Sequence, residues 1–191
     1  MIAVCAGHHQ DAQGATFEGH TEWPEAVLWR DRLVGVLGEG LALTVPSGLL
    51  RDKVEFINAS QAVCAIEIHF NSAMMHGKPV GRGCETLQYP GSVRGGELAY
   101  CVHKVLARHF PPDRGVKEGW YRMDYPGRVD YDGDVEGDEK LDYFLVKTHC
   151  PAIIIEPEFI HLWADIERKR AVTCLGMATA LTTLMDRWGV Y

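Results

Sequence analysis

The amino-acid sequence predicts an α/β fold, a single three-layer domain in which a twisted, mostly parallel central sheet is flanked by helices. Short apolar runs alternate with helical patterns from one end of the chain to the other, which is typical of layered α/β domains. The first and last of these runs, Ile2–Ala6 and Ala152–Glu156, are almost continuously apolar. Strands of this kind lie inside a sheet that is covered on both faces.

The chain length is consistent with one domain over residues 1–191. A chain of 191 residues that is 47% apolar and 24% charged can bury a core large enough to fold without a metal or a disulfide. The six cysteines are scattered, with no C-x-x-C pair, and most lie in apolar runs. We therefore expect them to be reduced and mostly buried.

The individual elements follow from apolar periodicity and from helix start and stop signals. The first helix is predicted to begin at Pro24, because proline suits the first helical position, and to end before Gly38 and Gly40. Further strands are predicted at 41–45, 63–69 and 84–89, and further helices at 50–60, 93–109 and 163–188. In the last helix an apolar stripe indicates core packing; it consists of Ala171, Leu175, Ala178, Leu181 and Met185.

One segment, 111–140, breaks this alternation because it is rich in Gly, Pro, Asp and Glu. It is predicted to be a long surface loop, either an active-site flap or a flexible insertion, with the acidic insertion at about 124–140. Its spaced aspartates suggest a calcium loop. However, Val135 stands where such a loop needs glycine, so we do not expect calcium there.

The charge pattern excludes two classes of partner. The chain has 19 Lys and Arg residues against 26 Asp and Glu, a formal net charge of -7, and no basic run of five. This argues against nucleic acid and against an anionic membrane surface. The start of the chain lacks a basic segment, and no apolar stretch approaches 18 residues. We therefore expect cytoplasmic synthesis without a signal peptide and no membrane insertion.

Three apolar runs each end in a side chain that can bind a metal or move a proton: His8, His69 and Glu156. If their strands are adjacent and parallel, these side chains meet in one cleft beyond the carboxyl ends of the strands. Glu22 or Glu25 could add a carboxylate from the start of the first helix. Two imidazoles and one carboxylate leave a fourth position open on zinc, which is typical of hydrolytic sites. Glu156 would then serve acid–base chemistry.

The residues alone leave a second interpretation open. A lone histidine at a strand end is usually a hydrogen-bonded surface residue, and the short zinc motifs H-E-x-x-H and H-x-x-E-H are absent. A glutamate that closes a buried strand is harder to explain this way. Its desolvation is costly unless it has a partner or a catalytic task.

Five segments resemble those of one family in order and spacing: "GHHQDAQGATFEGHTEW", "IEIHFNSA", "GCETLQYPGS", "DRGVKEG" and "PAIIIEPEF". The chain resembles the zinc-dependent N-acetylmuramoyl-L-alanine amidases of the amidase-3 type over nearly its whole length. The resemblance implies one Zn²⁺ held by His8, Glu22 and His69, with Glu25 as the runner-up ligand, and Glu156 as the catalytic residue. It departs from the family pattern at His9-Gln10, at Glu67 in place of serine, and at Glu158 in place of glycine.

The family hydrolyses the amide between muramic acid and L-alanine in peptidoglycan, and the resemblance implies the same reaction here. Glu156 would act as general base and then protonate the leaving amine. Asn71 is a candidate substrate-binding residue. Arg114 is a candidate either for binding stem-peptide carboxylates or for anchoring its loop. We expect a monomer whose partner is the peptidoglycan substrate.

Two alternatives stay open at this point. One is a catalytically silent wall-binding module, and the other is a zinc amidohydrolase or peptidase that acts on another peptide amide. Cellular members of the resembled family usually carry export signals and targeting domains, and none is visible here. The resemblance therefore points to a phage or prophage endolysin, stored in the cytoplasm and acting on the cell wall after release.

Overall fold

A computed structural model describes residues 1–118 and 143–190 of the chain. Its secondary structure follows the predicted alternation of strands and helices. The strands are β1 (Ile2–Ala6), β2 (Thr16–Phe17), β3 (His20–Thr21), β4 (Ala42–Thr44), β5 (Cys64–Ile68), β6 (Met74–Met75), β7 (Lys78–Pro79), β8 (Cys84–Gln88), β9 (Asp113–Glu118) and β10 (Ala152–Glu156). The helices are α1 (Glu22–Leu37), α2 (Leu50–Ala59), α3 (Val93–His109), α4 (Tyr143–Lys147) and α5 (Trp163–Trp188).

Six of the strands form the central sheet, in the order β4-β1-β5-β10-β8-β9. The first four run parallel to one another, β8 runs antiparallel to β10, and β9 is parallel to β8. The mostly parallel sheet confirms the predicted fold class. Strands β1 and β10 both lie in the interior of the sheet, as their continuous apolar runs predict.

The two faces of the sheet bury two separate apolar clusters, because successive side chains of a strand point to opposite faces. Ile2 and Val4 of β1 pack with side chains of α1, α3 and α5 in the larger cluster. Ala3 and Cys5 pack with side chains of α2 and α4 in the smaller one. Helices on both faces complete the three predicted layers.

Helix α5 has the predicted bounds, but part of its predicted stripe is wrong. Ala178 and Met185 are buried, whereas Ala171 is exposed and Leu175 is 55% exposed. The buried face runs instead through Cys174 and similar positions, because α5 packs against both α1 and α3. Helix α1 also begins two residues earlier than predicted, at Glu22.

The predicted loop at 111–140 is wrong over its first part. Asp113–Glu118 forms β9, the edge strand that pairs with β8. Its polar sequence does not alternate as a buried strand would, and the half-exposed edge of a sheet tolerates this. The short helix α4 was not predicted. Residues 119–142, which include the predicted insertion at 124–140, lie outside the described residues.

All six cysteines are free thiols, and four of them are buried, as predicted. Among the described residues, no helix combines the length and the apolar character needed to cross a membrane.

Candidate active site

Three neighbouring strands, β1, β5 and β10, end level with one another. Ile68 is the register partner of both Ala6 and Ile155. The ladder continues one residue further: the backbone N–H of Gly7 donates to the carbonyl of Ile68 at 2.8 Å, and that of His69 donates to Ile155 at 2.9 Å. Residues that follow these strand ends therefore lie at one edge of the sheet.

At this edge the side chains of His8, Glu22 and His69 converge. The Nε2 atom of His8 lies 3.1 Å from Oε2 of Glu22, and Nδ1 of His69 lies 3.0 Å from Oε1. Each residue offers one ligand atom, and these atoms all lie within 4.8 Å of one another. It is the one group of metal-ligand type found in residues 1–118 and 143–190. The two imidazoles are 31% and 21% exposed, so the cluster opens to solvent.

Glu22 is held in place as the first residue of α1. Its Oε1 accepts a hydrogen bond from the backbone N–H of Phe70 at 3.0 Å, and its Oε2 accepts one from Ala15 at 3.1 Å. Burial raises the pKa of Glu22, but its hydrogen bonds to His69 and His8 outweigh burial and hold the pKa far below its usual range. The group is therefore an ionised carboxylate aimed at both imidazoles.

Two glycines make room for this cluster. A Cβ atom on Gly14 would lie 2.5 Å from Oε2 of Glu22 and 2.6 Å from Nε2 of His8. A Cβ atom on Gly7 would lie 2.5 Å from Cε1 of His69. Two imidazoles and one carboxylate that leave one side open form a donor set that fits a catalytic zinc ion.

Glu156 ends β10 at the same edge and is 5% exposed. Its Oε2 atom is buried without a hydrogen-bond partner. Burial, together with the negative charges of Glu22 and Glu85 and against the influence of His69, raises the pKa of Glu156 to about 8. A carboxyl group with a pKa near neutrality can both accept and release a proton, as an acid–base catalyst must.

Glu25, the runner-up ligand, lies elsewhere. Its Oε1 atom pairs with Nη1 of Arg170 on α5 at 2.6 Å. Of the two first-turn carboxylates, the structure therefore brings Glu22 to the histidines and directs Glu25 to a neighbouring helix.

Asn71 and Arg114, the two candidate substrate-binding residues, meet at Glu85. Asn71 donates to Oε1 of Glu85, and an Arg114 nitrogen lies 3.2 Å from the same oxygen. Glu85 lies on β8 and is the register partner of Glu156 on β10. Asn71 and Arg114, which both contact Glu85, therefore lie beside the candidate base. The guanidinium of Arg114 also stacks 4.8 Å from the ring centre of Phe159.

Sequence reasoning missed three charged residues of this region: Glu85, Lys117 and Lys53. Lys117 contacts Glu85 at 2.5 Å, and Lys53 pairs with Glu67 at 3.5 Å. The available signal was a glutamate inside each of two predicted strands, "CAIEI" and "CETLQ". A buried carboxylate in a strand requires a buried partner.

Comparison with known proteins decides the family. The Amidase_3 family model, described as N-acetylmuramoyl-L-alanine amidase, matches residues 2–171. The chain belongs to this family. A sequence search of curated proteins finds no match.

Solved amidase structures share its fold at low sequence identity. An N-acetylmuramoyl-L-alanine amidase from Clostridium difficile 630 superimposes with a TM-score of 0.75 at 19% identity, covering 97% of this chain and 96% of that one. AmiC2 of Nostoc punctiforme gives 0.67 at 20% identity over 100% and 98%. The catalytic domain of the CD27L endolysin gives 0.62 at 19% identity over 97% and 96%.

The glycine at position 14 gives a direct test of the cluster. Gly14→Ala places a Cβ atom against Glu22 and His8, and we expect the affinity for Zn²⁺ to fall on the order of 10- to 100-fold. Isothermal titration of metal-free protein with Zn²⁺ measures this.

Gly19→Ala is the matched control. Both glycines have positive φ, 77° and 85°, but a Cβ atom on Gly19 has no neighbour within 4 Å. Gly19→Ala should lose about 1–3 kcal/mol of folding stability from its backbone strain alone. Gly14→Ala should lose at least as much, because its Cβ also displaces neighbouring atoms, and only Gly14→Ala should lose affinity. Equal zinc affinity in the two variants would contradict the geometry of the cluster.

The raised pKa of Glu156 predicts a pH dependence of stability in the metal-free protein. Its pKa is about 8 when folded, against an ordinary value of 4.5. Between these pH values the folded state binds one proton more than the unfolded state. The free energy of unfolding should therefore fall as pH rises from about 4.5 to about 8.

Glu156→Gln removes this contribution. Relative to wild type, the variant should gain stability on the order of a few kcal/mol across that pH range. Urea unfolding at a series of pH values in a chelator measures the difference. Parallel stability curves for the two proteins would show that the pKa of Glu156 is not raised.

Proposed function

We propose that the protein is a zinc-dependent N-acetylmuramoyl-L-alanine amidase that hydrolyses the bond between N-acetylmuramic acid and L-alanine in peptidoglycan. One Zn²⁺ would be held by His8, Glu22 and His69. The observation that supports this best is the position of Glu156, a buried carboxyl group with an unpartnered oxygen, at the sheet edge where the three ligand atoms converge.

Zn²⁺, when bound, supplies Lewis-acid chemistry: it makes a water molecule more acidic and polarises the carbonyl group of the scissile amide. The chain contributes the donor geometry. Glu22 lies between the two imidazoles and is fixed by two backbone N–H groups. The partly exposed face of His8 and His69 leaves room for the substrate.

Glu156 would move the proton. Its unpartnered Oε2 accepts the proton of the water that attacks the carbonyl carbon. When the carbon–nitrogen bond breaks, the same oxygen returns the proton to the nitrogen of L-alanine, which leaves as a free amine. Burial keeps this carboxyl group away from bulk solvent, so that the proton passes between Glu156 and the reactants.

Asn71 and Arg114 would shape the part of the cleft that receives the substrate beside Glu156. Arg114 pairs with Glu85 and stacks on Phe159. The sequence left two roles open for Arg114, binding of stem-peptide carboxylates and anchoring. These contacts favour anchoring. Asn71 shares the same carboxylate, so that both residues would shape the cleft through Glu85.

Two features favour an enzyme over a silent wall-binding module. Every ligand position and the base position are filled by residues of the required chemistry, and the base has the raised pKa that proton transfer requires. We further propose that the enzyme has a bacteriolytic role of the endolysin type. The fold it shares with the catalytic domain of the CD27L endolysin is compatible with this role.

Analysis of digestion products tests the proposed reaction. Purified sacculi are treated with zinc-loaded wild type, Glu156→Gln and His69→Ala, and the soluble products are identified by mass spectrometry. We expect wild type to release stem peptides that begin with a free L-alanine amine. Glu156→Gln should retain one Zn²⁺ but lose at least about 100-fold in rate, whereas His69→Ala should lose the metal.

Other products would contradict parts of the proposal. Cleavage inside the stem peptide would indicate a peptidase, and intact sacculi with wild type would indicate a silent module. Loss of zinc in Glu156→Gln to the same extent as in His69→Ala would make Glu156 a metal ligand instead of the base.

A further inference from the structure

A buried lysine lies directly beneath the candidate metal site. Lys53 of α2 is 2% exposed, and its Nζ atom donates to the backbone carbonyls of Ala6 at 2.6 Å and His8 at 2.7 Å. A third contact joins it to Oε1 of Glu67 at 3.5 Å. One ammonium group thus holds both the end of β1 and the turn that carries the first histidine.

Glu67 contacts both Lys53 and the second histidine, His69. It lies in β5 with 3% exposure, and its Oε2 atom is 3.3 Å from Nε2 of His69. The other ring nitrogen of His69, Nδ1, is the one that faces Glu22 at 3.0 Å. The carboxylate of Glu67 therefore binds the imidazole on the side away from the metal-ligand cluster.

We propose that Lys53 and Glu67 are positioning residues that preorganise the two imidazoles for metal binding. Lys53 fixes the His8 turn through its carbonyl, and Glu67 fixes the ring orientation of His69. This inference rests on the proposed metal site at His8, Glu22 and His69. A carboxylate that accepts from the non-ligating nitrogen of a histidine sets both its tautomer and its ring orientation.

The backbone of His8 supports this assignment. His8 has a φ of 60°, in the left-handed region that residues other than glycine rarely adopt. Such a conformation persists only when the surrounding structure holds it. The Lys53 ammonium provides this constraint, because it binds the carbonyl of His8 together with that of Ala6, two residues earlier.

Folding stability alone does not explain the buried ion pair of Lys53 and Glu67. Removing an ammonium and a carboxylate from water is costly, and apolar residues of similar size often stabilise a core equally well or better. The contacts of the pair also lie around the candidate site: it binds the carbonyls of Ala6 and His8, a ring nitrogen of His69, and the thiol of Cys5 in β1. The contacts with His8 and His69 are the ones that a metal site needs for preorganisation.

The test compares Glu67→Gln and Lys53→Met with wild type and with Glu158→Gln. Glu158 is a fully buried carboxyl group at the same sheet edge that binds the backbone N–H groups of Gly83 and Phe159, so it controls for the loss of a buried carboxyl group. Three quantities are measured: the Kd for Zn²⁺ by competition with a chromophoric chelator, the visible absorption of bound Co²⁺, and the unfolding free energy of metal-free protein.

We expect Glu67→Gln to bind Zn²⁺ roughly 10- to 100-fold more weakly than wild type. Lys53→Met should be affected at least as much, because it releases the His8 carbonyl and Glu67 together. Both variants should change the Co²⁺ spectrum, which reports ligand geometry. Glu158→Gln should keep the wild-type spectrum and a Kd within about two-fold of wild type.

Three results would overturn the inference. One is a wild-type Kd and Co²⁺ spectrum in Glu67→Gln and in Lys53→Met. If Lys53→Met does not fold, Glu67→Gln and the charge-free double variant Lys53→Met/Glu67→Gln decide the matter by the same measurements. Another is an equal loss of affinity in Glu158→Gln. Failure of wild type itself to bind Zn²⁺ would overturn the proposed metal site and this inference with it.

Discussion

The carboxylate of Glu22 lies between two imidazoles at the sheet edge, almost without contact with solvent. A buried carboxylate is tolerated only with hydrogen-bond donors around it. The rest of the site supplies these: the level ends of β1 and β5 bring the histidines, and backbone N–H groups satisfy both carboxylate oxygens. Glycine at position 14 is required because any side chain there would occupy the same space.

Five buried carboxyl groups lie at this edge of the sheet: Glu22, Glu67, Glu85, Glu156 and Glu158. Their hydrogen-bond and ion-pair partners differ, and so does their chemistry. Glu22 faces imidazoles, Glu67 faces Lys53, and Glu85 faces Arg114 and Lys117. Glu156 and Glu158 each have one oxygen without a hydrogen-bond partner. Glu158 uses its other oxygen to accept from the backbone N–H groups of Gly83 and Phe159, whereas Glu156 lies at the end of β10 beside the metal-ligand cluster. The pKa of Glu156 is raised, whereas cations and donors hold the pKa of Glu22 and of Glu67 below the ordinary value. Acid and base roles in active sites are usually assigned from pairs of titratable groups whose pKa values shift in opposite directions.

The sequence predicted the strands that carry the site because their apolar runs are continuous and end in chemically distinctive residues. It could not predict β9, whose polar residues lie at a sheet edge. The residues alone also left both Glu22 and Glu25 open as the ligand, and the family resemblance favoured Glu22. Those two residues lie three apart on one helix, and tertiary contacts distinguish them: Glu22 accepts from the backbone of Ala15 and Phe70, whereas Glu25 pairs with Arg170 on α5. Lys53 was missed because a lysine in an amphipathic helix normally lies in solvent, and its burial depends on the distant Glu67.

The most direct test of the central claim is a crystal structure of zinc-soaked protein with anomalous data collected at the zinc absorption edge. We expect one anomalous peak per chain, within about 2.0–2.2 Å of Nε2 of His8, a Glu22 oxygen and Nδ1 of His69. Glu156 should lie near the peak without binding it. A peak held by other residues, or none at this edge of the sheet at saturating zinc, would contradict a zinc site at His8, Glu22 and His69.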